Sequence, residues 1–100
     1  MITFADTQQE IDHLLNFVSK TSCNYERNGT IHNGTEARSH IEKKYNYYKD
    51  DIQSAEDFIK YSATKSTMSG SKYNVHCPNK PIQESSIWLL NELSRFRTSK

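Results

Sequence analysis

Three things are scarce in this 100-residue chain: long apolar runs, blocks of like charge, and cysteine. No apolar stretch approaches the ~18–20 residues of a membrane-spanning helix, so no membrane insertion is expected. Thirteen Lys+Arg stand against twelve Asp+Glu, and the net charge of +1 is spread along the chain. Without a basic block, the counterion release behind nucleic-acid affinity is weak, so nucleic acid is not an expected partner. The opening MITFADTQQE lacks the basic and apolar regions of a signal peptide. The two cysteines, Cys23 and Cys77, belong to no Cys-x-x-Cys pair, which excludes a four-cysteine zinc site and a thioredoxin-like motif. An even count in a small polar domain permits one disulfide. Two buried free thiols are the alternative.

Apolar residues make up 34% of the chain, below the usual ~45–50%. Six tyrosines and one tryptophan offset part of that deficit, because aromatic rings bury a large area per residue. Residues 1–100 therefore suffice for a single domain with one modest core.

Four helices are expected. Thr7-x-x-Glu10 has the form of a capping box, and Ile11, Leu14, Leu15 and Val18 follow at helical spacing, so the first helix should span 7–20. Asn33-x-x-Glu36 opens a second helix over 34–49, with Ala37, Ile41, Tyr45 and Tyr48 on its buried stripe. Beside that stripe lies a polar one of Glu36, His40, Lys44 and Tyr47. Ser54-x-x-Asp57 opens a third over 54–64, with Ala55, Phe58, Ile59, Ser62 and Ala63 on one side. The fourth, over 85–97, should turn Ile87, Leu89, Leu90, Leu93 and Phe96 inward, with Trp88 on the same broad face. Residues 65–83 read as a long loop holding a short extended segment, Tyr73-x-Val75-x-Cys77, stopped by Pro78 and Pro81. Asn28-Gly29 and Asn33-Gly34 are turn dipeptides that tolerate positive φ. A hairpin is compatible with the first, but the Thr30-Ile31-His32 stretch is too short to require one. Both dipeptides also match the glycosylation sequon, with no other mark of a eukaryotic secretory protein.

Titratable and polar side chains crowd into Cys23–Lys44, a segment nearly devoid of core residues. Such density marks where a site is expected. His32, Glu36 and His40 are spaced four apart, as three zinc ligands on one helix face would be. His32 precedes the proposed cap, however, and the commoner arrangement makes Glu36 a cap and His40 a hydrogen-bonded edge residue. No metal or cofactor is expected. Ser62-x-x-Lys65 has the spacing of the penicillin-binding nucleophile motif without that motif's partners. If Cys23 and Cys77 were bridged, their Cα atoms would lie within about 7 Å. The loop before Cys77 would then be drawn to the Arg27 turn, gathering Arg27, Asn28, His32, Glu36, His40, Ser69 and Tyr73 on one surface. Glu36 and His40, one turn apart, would suit an orienter and a base. The same groups would equally suit a hydrogen-bonded network that pins an irregular loop.

The series Cys23-x-Tyr25-x-Arg27-Asn28-Gly29, His32, Glu36-Ala37, His40, Lys44-Tyr45, Glu56-x-Phe58-Ile59, Ser69-Gly70-x-x-Tyr73-x-Val75-x-Cys77 and Trp88-Leu89 resembles the YfeK-like family of small exported bacterial proteins of unknown function. The likeness runs from the first helix to Arg97 and is most specific in the Arg-Asn-Gly…His…Glu-Ala…His stretch. It implies a mature periplasmic form, with the signal peptide removed and Met1 an added start, and it implies a Cys23–Cys77 disulfide. The expected fold is thus mainly α: a small four-helix domain whose long loop and extended segment are tied by one disulfide. The expected function is a non-enzymatic envelope module that binds a partner protein or a small cell-wall-derived ligand through the polar patch. An inhibitor or immunity role belongs to this class. A small hydrolase using Glu36 and His40, and a purely structural polar network, are the two rivals.

Overall fold

The structure is a computed structural model that describes residues 7–66 and 69–99. Helix α1 covers Thr7–Lys20, a hairpin of β1 (Asn24–Arg27) and β2 (Thr30–His32) follows, and α2 covers Gly34–Tyr48. A 3-10 turn at Lys49–Asp51 leads to α3 (Ala55–Ser62), then β3 (Asn74–His76), β4 (Gln83–Glu84) and α4 (Ser85–Thr98). The four helices lie where periodicity puts them. The chain is nevertheless not all-α, because its four strands form one antiparallel sheet in the order β2-β1-β3-β4.

The hairpin turns on Asn28 and Gly29, with φ of 52° and 79°. Two consecutive positive-φ residues match the right-handed twist of the flanking strands, which is why Asn-Gly makes tight two-residue loops. Strands of two to four residues are too short to display a period-2 pattern, which is why the sequence does not announce the sheet.

The helices bury one side each against the sheet and one another. Ile11, Leu14, Leu15 and Val18 of α1 meet Ala37 and Ile41 of α2, Phe58 and Ile59 of α3, and Leu89 and Leu93 of α4. Tyr25 and Val75, paired across β1 and β3, supply the inner face of the sheet. Burying a large apolar side chain of this kind stabilises the fold by ~1.5–3 kcal/mol. Inside this core the Tyr25 hydroxyl meets the Ser85 Oγ at 2.7 Å, and burial pushes the phenol pKa well above its usual range. Two α4 side chains depart from the expected inner face: Ile87 is 50% and Leu90 42% exposed. The buried stripe of α4 is instead Ser85, Trp88, Leu89, Glu92 and Leu93. Tyr48 is likewise only half-buried.

Capping separates along the chain. Asn33 and Glu36 form the full reciprocal box, and the Ser54 side chain accepts from the Asp57 backbone N–H at 3.0 Å. The box expected at Thr7 and Glu10 does not form. Thr7 is already helical, and both Glu10 oxygens accept from Arg97, at 2.7 and 2.9 Å. Arg97 also donates to Glu56 at 2.6 and 3.1 Å, so one guanidinium fastens the end of α4 to both α1 and α3. Gly34 is no positive-φ turn residue either. It is buried in the first turn of α2, against the Val18 and Ser19 carbonyl groups at the end of α1.

Candidate functional site: a cationic patch beside the hairpin

Cys23 and Cys77 are joined in a disulfide, with Cα atoms 4.2 Å apart. The bond closes the end of the sheet where β1 leaves α1. Pairing of Asn24 with His76 and Glu26 with Asn74 then carries residues 69–73 alongside the Arg27 turn. Asn28 donates to the Ser66 Oγ at 3.3 Å and accepts from the Ser69 hydroxyl at 2.6 Å. The Ser69 Oγ in turn accepts from the Ser71 backbone N–H at 3.1 Å. Asn28 and Ser69 therefore engage each other as a tie between the hairpin and the loop.

Arg27, His32, His40 and Tyr73 come together around a small cavity whose floor is Tyr25 and Ile41. Its volume is about 10 Å³, room for about one water. The His32 and His40 rings meet edge to face, with centroids 4.9 Å apart, although one ends β2 and the other lies on α2. The Tyr73 hydroxyl accepts from the Lys44 Nζ at 3.4 Å, and the same ammonium lies 5.3 Å from the ring centroid. Glu36 stands at the edge of the group. Its Oε1 accepts from the Asn33 backbone N–H at 3.1 Å and lies 3.9 Å from the His32 Nδ1. Glu36 and His40 share no hydrogen bond, so the orienter–base pair suggested by their spacing is not assembled. Among the described residues, no three His, Cys, Asp or Glu side chains are grouped to hold a metal ion.

Arg27 is the unusual member. It is half-buried and its Nε is fully enclosed without a hydrogen-bond partner, and no ion pair reaches it among the described residues. The neighbouring carboxylates are otherwise engaged: Glu26 with His76 at 2.7 Å, Glu36 with the helix cap. A partly desolvated guanidinium normally recruits a counter-charge or a fork of acceptors. Partial burial lowers the pKa of His40, and the charges of Arg27, His32 and Lys43 add to the effect against the weaker pull of Glu36. The patch is therefore electropositive and short of anionic partners. It is suited to an oxyanion such as a carboxylate or a phosphate.

A larger cleft lies elsewhere. A cavity of about 400 Å³ opens between α1 and α4, bordered by His13, Asn16, Phe17, Lys20, Glu92 and Arg95. Its polar centre is self-satisfied. Buried Glu92 accepts from the Arg95 fork at 2.8 and 2.6 Å and meets the His13 Nε2 at 2.6 Å, and these bonds hold its pKa below the usual carboxylate range. His13 also stacks on Phe96. The pair binds α1 to α4 and leaves no oxygen of Glu92 without a partner. Sequence spacing gives no sign of it, since His13 and Glu92 are 79 residues apart.

The fold is a small, disulfide-tied domain, helical with a four-stranded sheet, in which Arg27, His32 and His40 border one small cavity. Residues 5–97 match the model of a family of unknown function, DUF5329, and the chain belongs to that family. No curated protein and no solved structure matches it.

Proposed function

We propose that this protein is a bacterial envelope module, periplasmic and YfeK-like, that binds an oxyanion-bearing partner at Arg27, His32 and His40. The partner is a carboxylate on an envelope protein or on a small cell-wall-derived ligand. What supports the reading is the Arg27 guanidinium: half-buried, with no ion pair among the described residues, and bordering one small cavity with the His32 and His40 imidazoles. Asn28 and Ser69 fix the turn that carries it, and Glu36 and Tyr73 border it. The disulfide is compatible with an oxidising compartment. A cavity with room for about one water fits docking of a terminal group better than enclosure of a whole substrate.

Histidine ring resonances, followed during titration with acetate, inorganic phosphate and a muropeptide bearing free carboxylates, test this. Saturable shifts at His40 that vanish in Arg27→Gln, with both proteins melting within a few degrees of each other, are expected. Loss of fold in Arg27→Gln and His40→Ala, with no anion response in the parent, would assign the patch to scaffolding.

A further inference from the structure

A second cationic surface lies on the far side of Lys44. A cavity of about 230 Å³ is bordered by Lys44, Lys60, Lys65, Tyr48, Tyr61 and Ser66, with Gly70 at its rim. No carboxylate lines it among the described residues. The nearest acids on α3 are already engaged, Glu56 by Arg97 and Asp57 by the Gln53 backbone N–H. Lys44 is tied to the Lys65 carbonyl at 2.6 Å and so holds one wall in place. Lys60 and Lys65 are exposed, and neither ammonium makes an ion pair among the described residues. Tyr48 and Tyr61 stack on each other with centroids 5.4 Å apart and planes at 26°, and Lys60 lies over the Tyr61 ring.

We propose that this groove is a separate binding site for an acidic glycan, one that goes beyond the oxyanion patch at Arg27. Three observations select the ligand class. The cavity is smaller than the ~300–1,000 Å³ that encloses a whole drug-sized ligand, so it holds one unit of a longer chain that continues into solvent. Three ammonium groups with no internal counter-charge call for anionic substituents on that unit. The ring arrangement sets the groove apart from single-stranded nucleic-acid platforms, which offer open aromatic faces to successive bases. Here Tyr48 and Tyr61 stack on each other, Lys60 lies over the Tyr61 ring and Tyr47 meets Tyr48 edge to face, so these rings are engaged within the protein instead of forming an open stacking platform. Strand addition by an acidic peptide is disfavoured as well, because it needs a free sheet edge, and the residues that border this groove belong to α2, α3 and the loop after it.

The test is fluorescence anisotropy with a labelled, sulfated heparin oligosaccharide, against a DNA oligonucleotide and poly-glutamate of matched charge, at low and at physiological salt. The glycan should bind most tightly and weaken with salt. Affinity should fall about tenfold or more in Lys60→Glu/Lys65→Glu, less in Lys60→Gln/Lys65→Gln, and hardly at all in Lys80→Glu, an exposed lysine outside the groove. The neutral pair guards against misfolding of the charge-reversed protein, and thermal melts of each variant complete that control. Absence of glycan binding, equal or tighter binding of DNA or poly-glutamate, or an equal loss in Lys80→Glu would each overturn the proposal. Glycan binding indifferent to Arg27→Gln would support the groove even if the patch at Arg27 proved to be scaffold. Phosphate binding at Arg27 without any glycan binding would overturn the groove and leave the patch.

Discussion

The Ser69 hydroxyl donates to the Asn28 side chain at 2.6 Å across 41 residues of sequence. That bond joins the one tight hairpin turn to the loop that precedes β3. Ser69→Ala should therefore destabilise the protein by ~1 kcal/mol, the net value of a typical hydrogen bond. Asn28→Gly should cost about the same, because glycine accepts the positive φ there and only the side-chain bonds are lost. Urea denaturation of each variant, and of the pair, would show strong non-additivity if they act through this one bond.

How much of this was legible in the residues follows from length and locality. Helices carry their pattern over ten or more positions, so α1 through α4 stood out, and the caps at Asn33 and Ser54 read correctly because they are local. The sheet did not, since β3 and β4 hold only three and two residues. The two misplaced side chains of α4, Ile87 and Leu90, share a broad apolar stripe from which periodicity alone cannot choose the inner edge. Glu10 looked like a cap and serves as an acceptor for Arg97, 87 residues away, a contact with no sequence signature. The gathering of Arg27, His32, His40 and Tyr73 was legible only through the Cys23–Cys77 link, and the lysine groove not at all, because its members come from α2, α3 and a loop.

The disulfide closes a loop with a sequence separation of 54 residues. In the chain-entropy account such a crosslink stabilises by ~4 kcal/mol. Intact protein should weigh two hydrogens less than its reduced form. Denaturant midpoints measured with and without reductant should differ accordingly, and Cys23→Ser/Cys77→Ser should match the reduced protein. Because the bond also positions residues 69–73 beside the hairpin, reduction should weaken ligand binding at the patch under conditions where the fold persists.

His40 provides a pH readout. Its pKa is lowered in the folded state, first by partial burial and then by Arg27, His32 and Lys43. The unfolded chain therefore takes up a proton at this site at higher pH than the native protein does. The contribution of His40 to stability is complete above the unfolded value of ~6.5 and declines as pH falls through the native one. In NMR titrations the ring should protonate below an unperturbed histidine. Arg27→Gln should raise its pKa, and a bound oxyanion should raise it further in the parent. Unchanged titration in Arg27→Gln would sever the link between the two side chains.

Arg97 bonds Glu10 and Glu56 at once, and Glu10 is only 6% exposed. Removing the guanidinium in Arg97→Gln leaves a nearly buried carboxylate short of partners. A loss of ~2 kcal/mol is expected from charge-assisted bonds of this kind. The Arg97 bond is also the main reason that Glu56 has a lowered pKa. Stability from that carboxylate is present above its ordinary value and lost as pH falls through the lowered one. The variant should thus lose less stability than the parent between neutral and acidic pH, measured by urea midpoints at each pH.

Gly34 offers the sharpest stability test because packing and backbone geometry can be separated there. It opens α2 with no positive φ, so a larger residue faces no conformational penalty. A Cβ at this position would nonetheless collide with the Val18 carbonyl oxygen and come within 3.2 Å of the Ser19 oxygen. Those atoms are backbone at the end of α1 and cannot rotate away as a side chain would. Gly34→Ala should therefore destabilise by ~1–3 kcal/mol through overpacking, despite the helix propensity that alanine adds. Gly29→Ala would test the opposite cause: its Cβ would meet nothing within 4 Å, but φ is 79°, so its penalty is conformational. A thermal melt of Gly34→Ala at or above the parent would show that α1 and α2 can part at this contact, and would remove close helix approach as the reason for the glycine. If the loss appears, shifting α2 should also spread His40 from His32. The His40 ring would then titrate nearer to an ordinary histidine in Gly34→Ala, linking a packing contact at one helix start to the electrostatics of the patch two turns along.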